Sequence, residues 1–271
     1  MSGRLVVCAT PIGNLDDVTL RLLTTLRSAD VVACEDTRRT VGLLKRHGTT
    51  AGKMVSYHEH NESRRAPELV ARVAAGETVA LVTDAGMPLV SDPGHILVRG
   101  VVAAGLRVEV LPGPSAVLTA LVASALPADT WRFVGFLPRK AGELRELLEA
   151  ARETVVAFES PHRTAVSLAA LAALDPGRPV AVCRELTKLH EEVARGSAAE
   201  LAARYADAEP RGEVVLVIGS PPPAAADLGA ALDAVERLVA AGAKARPAAQ
   251  VVAELTGASA NALYRGLLEH R

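Results

Sequence analysis

Val82-Thr-Asp-Ala-Gly-Met-Pro-Leu-Val-Ser-Asp-Pro-Gly94 follows the apolar run Val79–Val82 and precedes the helix-like run Ile96–Ala104. A buried strand that ends in Asp, Gly and Pro and restarts as a helix is a unit of an α/β sheet. The carboxyl ends of such strands are where open α/β sheets hold small molecules. Gly86 has no Cβ to keep a ligand off the backbone, and Pro88 and Pro93 stiffen the turn.

Short β-branched runs alternate with longer helical patterns on the N-terminal side of this stretch and just beyond it. Strands are expected at Leu5–Ala9, Val31–Cys34, Met54–Tyr57, Thr78–Thr83 and Arg107–Leu111. Helices are expected at Leu15–Arg27, Thr37–Arg46, Glu62–Ala74 and Asp92–Ala104. Such alternation with short connections predicts a mostly parallel, doubly wound sheet. Leu111-Pro-Gly-Pro-Ser115 breaks the rhythm and reads as a linker ending in a helix cap at Ser115, ahead of Ala116–Ser124.

The second half is made of similar parts. Helices are expected at Glu143–Ala151, Arg163–Leu174 (opened by Pro161) and Ala198–Tyr205, and strands at Thr154–Glu159, Val180–Glu185 and Glu213–Ile218. Glu191–Arg195 is a candidate further strand, which would make this sheet mixed. Ser220-Pro-Pro-Pro223 and the Ala run after it read as a stiff linker. Beyond it, Leu228–Ala241, Pro247–Leu255 and Ser259–Glu269 pattern as three small helices, and the spacing Ala253, Gly257, Leu263 suits a helix-turn-helix. With five basic and five acidic residues in Ala224–Arg271, an interaction or packing module competes with a nucleic-acid reader. The expected organisation is an α/β chain with domains at 1–113 and 114–220 and a helical module at 224–271.

Composition narrows the function classes. Apolar residues make up 49% of the 271 but aromatics only 3%, so the core must rest on Ala, Val and Leu. A formal charge of −1 argues against a protein that coats nucleic acid by bulk attraction. A local basic face remains between Asp36 and Arg65, where Arg38, Arg39, Lys45, Arg46, Lys53, Arg64 and Arg65 stand against Asp36, Glu59 and Glu62. Cys8, Cys34 and Cys183 are isolated, as small apolar strand residues of a reducing compartment would be. The chain enters a strand almost at once, without a signal-peptide pattern. Its longest uncharged run, Val110–Ala128, is interrupted by Pro112, Gly113, Pro114 and Pro127. A soluble cytoplasmic protein is expected, with no membrane contact.

No G-x-x-x-x-G-K-[ST] loop, strand-following G-x-G-x-x-G, H-E-x-x-H, Cys/His set with metal-ligand spacing, or G-x-S-x-G elbow is present. No metal is expected. What remains are rigid turns after strands: Thr10-Pro-Ile-Gly-Asn14, Asp84-Ala-Gly-Met-Pro88, Pro112-Gly-Pro-Ser-Ala116 and Glu159-Ser-Pro-His-Arg163. Turns rich in Gly and Pro, with no Lys to neutralise phosphate, suit a ligand held largely by backbone N–H and C=O groups.

These turns belong to an ordered series. Ala9-Thr-Pro-Ile-Gly-Asn-Leu15, Cys34-Glu-Asp-Thr-Arg38, Thr83–Gly94 and Leu111-Pro-Gly-Pro-Ser115 come first. Gly135-Phe-Leu-Pro138, Glu159-Ser-Pro-His-Arg163, Arg184-Glu-Leu-Thr-Lys188 and Gly212-Glu-Val-Val-Leu216 follow. From about Leu5 to Gly219 the chain resembles the tetrapyrrole methylase superfamily, in its branch that methylates small-subunit ribosomal RNA. The resemblance implies two α/β domains with S-adenosylmethionine bent in the cleft between them. By motif, Pro11, Ile12 and Gly13 would border the cofactor, and Asp84, Ala85, Gly86, Met87, Pro88 and Ser91 would run along it. Pro114, Ser115 and Ala116 would line the same cleft. Met87 stands where Thr is usual in the family, and a thioether cannot donate a hydrogen bond.

The implied reaction is 2′-O-methylation of a cytidine ribose in the decoding region of 16S rRNA. The sulfonium methyl is already activated, so in-line positioning comes first and a proton acceptor helps. Candidate acceptors are Glu35 and Asp36, which also suit a helix N-terminus, His58 in Tyr57-His-Glu-His60, and Glu185. Candidate RNA contacts are Arg38, Arg39, Arg139, Lys140, Arg163, Arg184 and Lys188, which ion pairing would also explain. The expected partners are 16S rRNA, within the assembled small subunit, and a second copy in a homodimer. Two alternatives stay open: a methylase of a tetrapyrrole or other small molecule, and a non-catalytic ribosome-binding protein. The basic cluster and the C-terminal module tilt against the small-molecule enzyme.

Overall fold

Short apolar runs build five strands in the first part of the chain: β1 (Arg4–Cys8), β2 (Val31–Cys34), β3 (Lys53–Ser56), β4 (Thr78–Val82) and β5 (Arg107–Leu111). They come from a computed structural model that describes residues 3–207, 210–221 and 228–269. All five pair in parallel, in the order β3-β2-β4-β1-β5. The helices between them are α1 (Leu20–Ser28), α2 (Thr37–Arg46), α3 (Glu62–Ala74) and α4 (His95–Ala103).

Side chains alternate across a strand, so β1 feeds two cores. Leu5 and Val7 pack with Leu69 of α3 and Leu97 and Val101 of α4. Val6 and Cys8 pack with Leu22 and Leu26 of α1 and Leu43 and Leu44 of α2. Helices on both faces explain why the inner strands β1, β2 and β4 read as nearly unbroken apolar runs, whereas the edge strands β3 and β5 carry polar residues. β1 leads into α1 on one face, whereas its neighbour β4 leads into α4 on the other. The two connections diverge at the strands' carboxyl ends, and such a switch point leaves a crevice. Thr10 and Gly86 bridge it, the Thr10 N–H donating to Gly86 O at 2.9 Å and the Gly86 N–H to Thr10 O at 3.1 Å.

The second sheet follows α5 (Ala116–Ser124) and contains β6 (Trp131–Phe136), β7 (Thr154–Glu159), β8 (Pro179–Arg184), β9 (Glu192–Ser197) and β10 (Val214–Ile218). Its order is β6-β7-β10-β8-β9, with β6 and β7 parallel and every other pair antiparallel. The sheet is therefore mixed, and the candidate strand near residue 191 is real. Val117, Ala120 and Leu121 of α5 cover one face. The other carries α6 (Ala141–Ala150), α7 (Pro161–Leu174) and α8 (Ala198–Tyr205), through Leu148, Leu168 and Leu201 among others.

Three expectations need correction. The helix expected from Leu15 is a 3₁₀ turn, Leu15–Asp17, and then α1 from Leu20. Two caps compete there: Asn14 accepts from the Asp16 N–H and Thr19 from the Leu22 N–H, each at 3.1 Å. The helix expected from Asp92 starts at His95. Leu89, Ser91 and Gly94 have φ of 75°, 64° and 135°, which no α-helix accommodates, so Asp92 stays in the loop. Finally, β6 was not expected at all. Its register shifts between Phe133 and Phe136, around Gly135 at φ 68°, which spoils the two-residue alternation of a strand.

The chain divides into two compact units, one ending at Ser220 and the other beginning at Pro221. The expected stiff linker falls largely outside the described residues. The second unit holds α9 (Leu228–Ala240), α10 (Ala245–Thr256) and α11 (Ala260–Glu269) around Val235, Val252, Leu263 and Leu267. Gly257, at φ 72°, ends α10 at the expected tight turn. No described helix is long and apolar enough to cross a membrane. The three cysteines are buried and unpaired, and burial pushes the Cys8 and Cys183 thiols up to about 12, which leaves them unreactive.

Candidate functional site

The loop after β4 forms the floor of a cleft between the two sheets. Its cavity of about 360 Å³ is lined on one side by Ile12, Ala85, Gly86, Met87, Ser115 and Ala116, and on the other by Phe136, Phe158, Cys183 and Val215. That volume lies in the usual range for a small-molecule site, and the walls are mainly apolar. Gly86 has φ 78°, and a Cβ there would stand 3.5 Å from the Ile12 side chain and 3.9 Å from Pro114 O. The residue keeps the backbone open to the cleft.

A second cavity of about 320 Å³ adjoins the first and shares Ile12, Ala85 and Glu213 with it. Its remaining walls include Pro11 and Gly13, Arg39 and Gly42 of α2, Thr83, Asp84 and Lys188. The β1 loop meets the second sheet here: the Asn14 N–H donates to Thr187 Oγ1 at 3.1 Å, and Gly13 leaves no room for a Cβ beside Lys188. Leu89, Ser91, Glu185 and Thr187 all have positive φ, in the two loops that wall these cavities. Strain of that kind collects at ligand sites.

Of the twelve residues expected at the cofactor, ten line one cavity or both, while Pro88 and Pro114 line neither. The four acceptor candidates Glu35, Asp36, His58 and Glu185 also line neither. Glu35 and Asp84 instead tie the ends of β2 and β4 together. The Asp84 N–H donates to Glu35 Oε2 at 3.3 Å, and the Asp36 N–H to Asp84 Oδ1 at 3.0 Å. Asp36 caps α2, accepting from the Arg38 N–H at 2.8 Å, and its side-chain hydrogen bonds to Arg38 hold its carboxyl down at about 2. His58 lies past β3, its Nε2 3.0 Å from Asn61 Nδ2. Glu185 accepts from Lys188 Nζ at 2.7 Å, and that bond holds its carboxyl below the usual range.

Asp92 was not foreseen. It lines the first cavity and makes no side-chain hydrogen bond or ion pair among the described residues. Burial, with Glu35 and Asp84 nearby, pushes its carboxyl up from 3.8 to about 7. A cleft carboxyl poised near neutrality is suited to proton transfer.

The expected RNA contacts are scattered. Arg163 is turned inward: it donates to Leu137 O at 3.2 Å and Pro138 O at 2.6 Å and pairs with Glu159 at 3.3 Å. Arg184 pairs with Glu192 at 3.0 Å, and Lys188 with Glu185 and Glu213. Arg38 and Arg39 project from the exposed side of α2 beside the second cavity, pairing with Asp36 at 2.7 Å and Asp84 at 3.3 Å. Arg139 and Lys140 are exposed on the turn into α6.

A family profile described as tetrapyrrole (corrin/porphyrin) methylases matches residues 4–202. A Mesorhizobium japonicum protein named ribosomal RNA small subunit methyltransferase I is 48% identical over 98% of this chain and 91% of its own length. One of the same name from Micromonospora olivasterospora is 45% identical over 97% and 86%. Among solved structures, uroporphyrin-III C-methyltransferase from Thermus thermophilus, complexed with S-adenosylhomocysteine, superposes with a TM-score of 0.56. It is 23% identical and covers 80% of this chain and 97% of its own.

Proposed function

The chain belongs to the tetrapyrrole methylase family, and on that premise we propose that it transfers a methyl group from S-adenosylmethionine to a cytidine 2′-hydroxyl of small-subunit ribosomal RNA. The observation that carries this is the Gly86 cradle in an apolar cleft at the switch point of the first sheet, in a chain whose near-full-length relatives are named for that RNA.

The residues present fit the cofactor. Ile12, Met87 and Phe158 offer apolar surface, and the missing Cβ of Gly86 leaves a cradle between Ile12 and Pro114 O. Ile12, Ala85–Met87, Ser115 and Ala116 would hold it. When bound, its sulfonium supplies an activated methyl group. The protein's work is then to fix the ribose oxygen in line and to take up its proton. Asp92 is our acceptor, because Asp36 and Glu185 are held ionised by their cationic partners whereas Asp92 has none.

The rest of the proposal concerns partners. RNA enters along α2, whose Arg38, Arg39, Lys45 and Arg46 make an exposed basic side, and the assembled small subunit is the substrate in the cytoplasm. A homodimer is supported by α5, which is apolar nearly all round yet leaves Leu118 and Val122 exposed four residues apart. Transfer of labelled methyl to small subunits, followed by nuclease mapping, tests the function. A nuclease-resistant ribose is expected, whereas a methylated base or a labelled tetrapyrrole would overturn the assignment. Free hairpin RNA methylated as fast as the assembled subunit would overturn the choice of substrate.

A further inference from the structure

Building on that function, we infer that the second cavity is a subsite for one unstacked ribonucleoside whose 2′-hydroxyl reaches across the shared wall toward Asp92, and that the first holds the cofactor. Methyl transfer needs donor and acceptor side by side in line. The two cavities meet at a seam formed by Ile12, Ala85 and Glu213, so an occupant of each would face the other there.

The walls differ in chemistry. The first cavity is mainly apolar. The second carries two cations, Arg39 and Lys188, each already paired with a carboxylate, Arg39 with Asp84 at 3.3 Å and Lys188 with Glu213 at 2.9 Å. Cations neutralised in this way do not make a phosphate site. They present donors and acceptors together, as the edge of a pyrimidine and the ribose hydroxyls require. Thr83 lines the same cavity, is 3% exposed, and its Oγ1 has no partner. A buried hydroxyl left unsatisfied needs an explanation, and a ligand hydroxyl or base edge supplies one. Phosphates would stay outside, along the exposed side of α2, where the Arg38 side chain is 89% exposed. An enzyme acting on one nucleotide of a folded RNA must draw it out of the stack, and a cavity of about 320 Å³ opening beside a basic helix is where it would go.

Gly42 provides the test. It lines the second cavity only, lies on an exposed turn of α2, and a Cβ there would meet nothing within 4 Å. Gly42→Phe therefore starts from open space at the cavity wall, adds a ring there and improves the helix. The expected result is a KM for small subunits raised on the order of tenfold or more. S-adenosylmethionine affinity by calorimetry should stay as in the wild type. Thr83→Val removes the orphaned hydroxyl at constant shape and should also raise KM, with no loss of Tm. Cofactor binding weakened as much as RNA turnover in Gly42→Phe would hand the cavity to the cofactor. Unchanged turnover in both variants would remove the subsite. A wild-type protein that binds cofactor but labels no ribose would instead sink the proposed function on which the subsite rests.

Discussion

Asp92 joins stability to chemistry in one carboxyl. Its folded value of about 7 lies above the ordinary 3.8, so the folded chain holds that proton more tightly than the unfolded chain does. Stability at this group therefore falls as pH rises from about 4 to about 7, and the full penalty persists above 7. Asp92→Asn should raise Tm at pH 8, with the gain shrinking toward pH 5. It should also lower kcat by roughly 10²–10⁴-fold, the usual contribution of a general base, and abolish a rise in kcat centred near pH 7. A wild-type pH profile without that rise would remove Asp92 as acceptor. The residue was hidden in the sequence because a helix was expected to begin at Asp92, where a carboxylate is unremarkable. Glu35 and Asp36 allowed two readings from the start, an acceptor pair or a helix N-terminus, and in the fold Asp36 caps α2 while Glu35 ties β2 to β4. Gly86 was legible, though its substitution acts in two ways. Gly86→Ala should cost about 1–3 kcal/mol because φ is 78°, and it should also weaken S-adenosylmethionine binding. Gly105, at φ 68° with open space around it, is the control: Gly105→Ala should lose a similar Tm but bind the cofactor normally. Equal affinities in the two variants would take Gly86 out of the site.

Elements were legible where one period ran unbroken between strong caps. Bounds for α2 and α5 agree with the sequence because Asp36 and Ser115 cap them through side-chain hydrogen bonds, and those of α3 and β5 agree as well. The failures fall where local signals compete: Asn14 against Thr19 at α1, positive φ before α4, and the bulge at Gly135 in β6. Helix α5 carries a message beyond its bounds. An apolar helix that leaves Leu118 52% and Val122 81% exposed lacks cover on that side within the described residues. Val122→Glu should convert a dimer into a monomer in sedimentation equilibrium without lowering Tm of the monomeric fold, since Val122 buries little within the chain. An unchanged mass, or a wild-type monomer, would free this face from the interface.

At the scale of the whole molecule, the site was assembled from pieces the sequence keeps far apart. Periodicity showed the first sheet, the second sheet apart from β6, and the helical unit, but not the cleft, because no pattern along a chain states which loop faces which. The approach of Gly13 to Lys188 and of Asn14 to Thr187 spans more than 170 positions and exists only in three dimensions. All the same, every residue lining either cavity lies between Thr10 and Val215. Both sheets keep their own buried clusters within the unit that ends at Ser220, and α9, α10 and α11 have a separate core. A chain terminated after Ser220 should therefore fold cooperatively and bind S-adenosylmethionine with wild-type affinity in calorimetry. A truncated protein that folds, by circular dichroism and a sharp thermal transition, yet fails to bind would mean that the helical unit completes the cofactor site. Loss of the fold itself would mean that the two cores are not independent.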